Sequence, residues 1–151
     1  MCAPCSRPCR NGYASGWVGT NSGREEIRSL AGERDSMSGV GITVDTLAAA
    51  YELLRVTSPF RGLRLPPSHD IIFQLTKDKA LAGYCNLTDA TMISISSHFH
   101  SHLQPLLVTM AHEMIHLHEF RKYGKAGHGE PFQKLAARVC RAHGFDPKVF
   151  R

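Results

Sequence analysis

The distribution of apolar and polar positions divides the chain into an unpatterned stretch followed by a patterned one. Residues 1–40 are rich in Gly, Ser, Arg and Asn and carry neither a helical nor a strand period. Such a segment buries too little apolar surface to offset the entropy of ordering it, so a disordered N-terminal tail is expected over 1–40 and one ordered domain over 41–151. Within residues 43–57, Leu47, Ala50, Tyr51 and Leu54 recur at helical spacing, and Ser58-Pro59 stops the run. Ile71-Ile72-Phe73-Gln74-Leu75 is a short run of strand formers closed by Lys77-Asp78-Lys79. Residues 81–87 and 91–96 are two further short runs, and in the second Met92, Ser94 and Ser96 alternate with Ile93 and Ile95, as in a hairpin with one buried face. A helix is predicted from Pro105 to about Lys122, with Leu106, Leu107, Met110, Met114 and Leu117 as its apolar stripe and Gly124 as its stop. A last helix starts at Glu130-Pro131, buries Phe132, Leu135, Ala136 and Val139, and ends at Gly144. The predicted class is α+β: a helix, a small three-stranded antiparallel sheet, a long helix and a C-terminal helix.

Composition bounds this picture. The chain of 151 residues, 42% hydrophobic, has room for one compact core. It holds no apolar run long enough to cross a bilayer, and its N-terminus lacks the apolar middle of a secretory signal, so a cytoplasmic protein without membrane contact is expected. Cys2, Cys5 and Cys9 crowd the N-terminus without a fourth zinc ligand at a usual spacing, and Cys85 and Cys140 lie in apolar segments, so no disulfide framework is expected. The net charge is +5. Residues 119–151 carry that whole excess, with Arg121, Lys122, Lys125, Lys134, Arg138, Arg141, Lys148 and Arg151 against Glu119, Glu130 and Asp146. A basic segment of this kind suits a polyanion such as nucleic acid, although a solvated surface is the plainer account of charge alone.

The chemistry concentrates in HEMIH, residues 112–116. On a helix, residues four apart point the same way, so His112 and His116 present imidazole nitrogens to one ion, at about 2.0–2.1 Å for zinc. Glu113 lies about 100° round the helix, off the metal and beside a water bound to it, where a general base is needed. Both histidines fall on the side away from the Leu106, Met110 and Leu117 stripe, which predicts that they face a cleft. With nine histidines in the chain, such a pattern arises by accident in about one sequence in forty, so it gains weight only from its place in a helix. Catalytic zinc takes three protein ligands and keeps one position open. His128, after the turn Gly124 to Gly127, leads for the third place, with Glu130, Glu119 and His118 as rivals; Glu119 equally suits a partner to a ligand histidine. His98, His100 and His102 read as solvated loop residues, and His143 as a favourable charge at a helix C-terminus.

The stretch HEMIHLHEFRKYGKAGHGEPF resembles the SprT-like metallopeptidases, in which H-E-x-x-H is followed by a short insertion and His-Gly-x-x-Phe, here His128, Gly129 and Phe132. Upstream, Ala82-Gly83-Tyr84-Cys85 is similar to the family's Ala-Gly-x-Cys strand, and Ile93-Ser94-Ile95-Ser96 resembles the strand leading into the metal helix. The resemblance implies a compact zincin-type domain with His112, His116 and His128 as zinc ligands and Glu113 as catalytic base. It further implies a protein or peptide substrate, proteolysis of proteins attached to DNA as in DNA-protein crosslink repair, and DNA contact through the basic C-terminal segment, with nucleoid association. Many members carry a C-terminal zinc ribbon or DNA-binding extension, whereas this chain has only Cys140 in that region. A non-catalytic, zinc-stabilised nucleic-acid-binding module and a peptidase with no DNA link are the alternatives. No pattern in the chain fixes an oligomeric state.

Overall fold

A computed structural model of the protein describes residues 41–86, 88, 92–148 and 150. The predicted tail over 1–40, with Cys2, Cys5 and Cys9, lies outside the described residues. Helix α1 (Val44–Val56) leads through two single 3-10 turns to strands β1 (Ile72–Thr76), β2 (Gly83–Cys85) and β3 (Met92–Ser96), then to helices α2 (Leu103–Tyr123) and α3 (Glu130–His143). The fold is α+β. Among the described residues, no helix is long and apolar enough to cross a membrane.

Helix α1 starts where Thr43 and Thr46 cap it reciprocally, each side-chain oxygen accepting the other's backbone N–H at 3.2 and 3.3 Å. Such a cap is worth about 1 kcal/mol. The helix buries Leu47, Ala50, Tyr51 and Leu54, the four positions its period marks. The Tyr51 hydroxyl donates to the Pro66 carbonyl at 2.7 Å and its ring meets Phe73 of β1 edge-on, which ties the helix to both the connecting loop and the sheet.

The sheet departs from the antiparallel expectation. Its order is β1-β3-β2; β3 pairs antiparallel with β2, and parallel with β1 in the register Ile72↔Met92 to Thr76↔Ser96. The chain passes from β1 to the far edge, reverses in β2, and reverses again into the vacant middle position, so β3 necessarily runs with β1. The central place also removes the single buried face predicted for β3: Ile93, Ser94, Ile95 and Ser96 are all buried. The two serines satisfy their hydroxyls inside the sheet, Ser94 donating to Gln74 Oε1 at 2.9 Å and Ser96 to the Asp78 carbonyl.

Helix α2 is the centre of the domain, packed against α1, β2, β3 and α3. Gly124, at φ 69°, ends it in the left-handed conformation that favours glycine. Every residue from Met110 to Leu117 is buried, so the helix has no solvent side along this stretch. Strand β2 lies close to it. A Cβ on Gly83 would stand 2.8 Å from Thr109 Cγ2 and 3.1 Å from Ile95 Cδ1. Gly83→Ala is therefore expected to destabilise the domain by about 1–3 kcal/mol through overpacking, read from a urea melt with unchanged slope.

Helix α3 opens at Glu130-Pro131 and closes at Gly144, φ 70°. It buries Phe132, Leu135, Ala136, Val139 and Cys140 against α2 and turns Lys134, Arg138 and Arg141 outward.

Candidate metal centre

The residues 110–117 that fill the middle of α2 include two histidines and a glutamate, and burial of such groups needs compensation. His112 and His116 are 9% and 7% exposed and Glu113 is 5% exposed. The cleft predicted for the histidines is instead a packed junction. The chain that leaves α2 at Gly124 returns over the helix, and Phe132, in the first turns of α3, closes the space.

His112 Nε2 stands 3.0 Å from His116 Nε2 and 3.1 Å from His128 Nε2. The three rings offer nitrogens that all lie within 4.8 Å of one another. Two nitrogens held by one tetrahedral zinc at its usual bond length stand about 3.3 Å apart, so this cluster needs little adjustment to close on an ion. The three histidines are positioned to hold a metal ion. Of the four contenders for the third place, His128 is thus the one brought to the pair. Glu130 is exposed and pairs with Lys134 at 2.7 Å. His118 is half-buried beside Lys122, outside the cluster.

Phe132 packs against all three imidazoles, with ring centroids 4.9 Å from His112, 4.9 Å from His116 and 4.7 Å from His128. Phe150 adds a second apolar wall 5.8 Å from the His112 ring. This apolar jacket sets the electrostatics. Burial depresses His112 to about 3, helped by repulsion from His116 and His128, and depresses His116 to about 4; His128 is lowered by burial as well. All three are therefore neutral near pH 7, the form that ligates a metal. The Nδ1 atoms of His112 and His116 are buried and without hydrogen-bond partners. A donor set of neutral imidazoles with converging nitrogens and little competing hydrogen bonding fits a metal better than it fits a structural polar network.

Glu113 projects toward β2. Burial pushes its carboxyl up to about 8, against a hydrogen bond from the backbone of Cys85 that lowers it. Glu119, one turn past His116, is 5% exposed. Its Oε2 accepts the Gly127 N–H at 3.2 Å and lies 4.0 Å from His116 Nδ1; burial raises its pKa and the Gly127 bond opposes the shift. A cavity of about 340 Å³ lies beside it, lined among others by Tyr123, Gly127 and Pro131.

Two histidines outside the centre differ from their sequence reading. His98 and His102 are exposed as expected, but His100 is 3% exposed. Its Nδ1–H donates to the Ser96 carbonyl and its Nε2 accepts the Thr109 hydroxyl at 2.8 Å, which pins the β3–α2 connection to α2. His143 is half-buried and stacked on Phe145 at 5.4 Å, and burial lowers its pKa, so it is not the helix-end charge its position suggested. Neither burial has a signal in local periodicity: His100 lies in a connection without a period, and His143 meets Phe60 and Ser58, far back in the chain, as well as Phe145.

Residues 53–151 match the model of the SprT-like family. No curated protein and no solved structure matches the chain.

Proposed function

The chain belongs to the SprT-like family, and from that premise we propose that it is a zinc-dependent metalloendopeptidase of zincin type. The observation that carries this reading is the convergence of His112, His116 and His128, with Glu113 held between α2 and the edge strand β2. Three histidines leave one tetrahedral position open, as catalytic zinc sites do, whereas structural zinc sites are usually closed by four protein ligands, commonly cysteines. Zinc bound there supplies a water of pKa about 7 and polarises a peptide carbonyl.

The chain's own residues perform the rest. Glu113 takes a proton from the attacking water and returns it to the leaving amine; burial raises its carboxyl in the zinc-free protein, and a cation held by the neighbouring histidines draws it back toward the ionised form that accepts a proton. The outer edge of β2, where Tyr84 is exposed, offers backbone groups on which an extended substrate lies as an added strand. That mode selects loosely structured polypeptide over compact proteins. The outward Lys134, Arg138 and Arg141, at i, i+4 and i+7 on α3, support substrates associated with DNA, because such a stripe follows a phosphate backbone. A cytoplasmic, nucleoid-associated enzyme is the setting that suits this. A purely zinc-stabilised binding module would have no use for a buried carboxyl beside its histidines.

Cleavage of unfolded casein tests the proposal. Activity is expected to vanish with a chelator, to return with stoichiometric zinc, and to rise with DNA in a manner lost at high salt. Cleavage indifferent to the chelator sinks the metal mechanism; indifference to DNA sinks the nucleic-acid link and leaves the peptidase.

A further inference from the structure

Glu113 and Glu119 are the buried acids among the described residues, and the proposed reaction uses only the first. A buried carboxylate is costly unless it is engaged, and the surroundings of Glu119 say with what. Its Oε2 accepts the N–H of Gly127, the residue in front of His128, and faces Nδ1 of His116, a buried nitrogen with no other partner. His116 directs its opposite nitrogen into the cluster. An imidazole that ligates through Nε2 carries its proton on Nδ1, and an acceptor there fixes the ring's orientation and raises its basicity.

We propose that Glu119 is the positioning residue of the metal centre, one carboxylate that orients His116 through its Nδ1–H and holds the Gly127–His128 segment over the site. This deepens the metal-site reading and rests on it. The two ligands come from different parts of the fold, one from α2 and one from the connection to α3, and Glu119 joins them through a single oxygen with two lone pairs. The 4.0 Å separation is about 1 Å longer than a hydrogen bond, a gap that a small rotation of the glutamate side chain closes.

Zinc affinity, measured on the full chain by competition with a chromogenic chelator, tests the assignment without using activity. Glu119→Gln is expected to bind zinc roughly 10–100-fold more weakly than the wild type, with the thermal midpoint of the zinc-free protein retained. Glu119→Asp keeps the charge but withdraws it by one methylene, so its affinity falls in between; it carries the test if the glutamine variant does not fold. In the zinc-loaded wild type, proton NMR is expected to show a protected His116 Nδ1–H that exchanges rapidly in Glu119→Ala, which leaves no acceptor there. Folded variants with wild-type affinity, or a protected Nδ1–H that persists in Glu119→Ala, overturn the assignment. A wild type that takes up no zinc overturns the metal centre itself, and with it this role, and the same titration separates the two failures.

Discussion

Glu113→Gln is expected to lower peptide cleavage by about 10²–10⁴-fold while zinc stoichiometry stays at the wild-type value. The amide keeps the shape and can still accept from the Cys85 backbone, but it cannot take a proton from water. The same substitution has a readable effect on stability. In the zinc-free protein the Glu113 carboxyl titrates at about 8, against an ordinary value of 4.5. The unfolded chain therefore loses this proton first. The stability that the protonated carboxyl represents is present in full below about 4.5 and is lost as pH rises toward 8. Glu113→Gln removes that loss, so its zinc-free form is expected to hold its melting temperature better than the wild type between pH 5 and 8. An active variant that retains zinc removes Glu113 from the role of base, and one that has lost zinc gives Glu113 a part in holding the metal.

His112→Ala is expected to cost more zinc affinity than any change outside the ligand set, well beyond the roughly 100-fold upper end for residues that only support a ligand. His112 is the middle member of the cluster, since its Nε2 makes both short approaches, to His116 at 3.0 Å and to His128 at 3.1 Å. Its loss leaves two nitrogens, and it also removes a ring packed on Phe132 and Phe150. His128→Ala is expected to follow the same direction. Metal analysis of the purified variants checks both. Wild-type zinc content and affinity in either one shows that the ligand set is misassigned.

Much of the metal centre was legible because HEMIH sits in a helix, and helical geometry alone aims His112 and His116 together. His128 could not be singled out in the same way. Its approach depends on a chain reversal at Gly124, and spacing makes it only the leader of four contenders, to which the likeness to the SprT-like pattern adds weight. The burial of the histidines escapes the sequence for a related reason: the apolar stripe of α2 predicts a cleft on the opposite side, whereas four elements surround the helix. Strand positions followed from β-forming runs, but alternation does not say which strand lies beside which. The polar Ser94 and Ser96 pointed to a solvated face, and only the partners Gln74 and Asp78, from residues far back in the chain, make them central.

The place of β3 between its neighbours also dictates an order of assembly. The partners joined across β2 and β3 are eight to twelve residues apart, whereas those joined across β1 and β3 are twenty apart. Strand β1 is synthesised first, yet it has no neighbour to pair with until the hairpin that follows it has closed. The fifteen or so residues of crossover that a parallel pair requires are supplied here by the hairpin's own first strand and its flanking loops. Because closing a short loop costs less entropy than closing a long one, the hairpin is the natural nucleus. The strand beside which Glu113 rests is thus expected to form early in folding, with the parallel edge added afterwards.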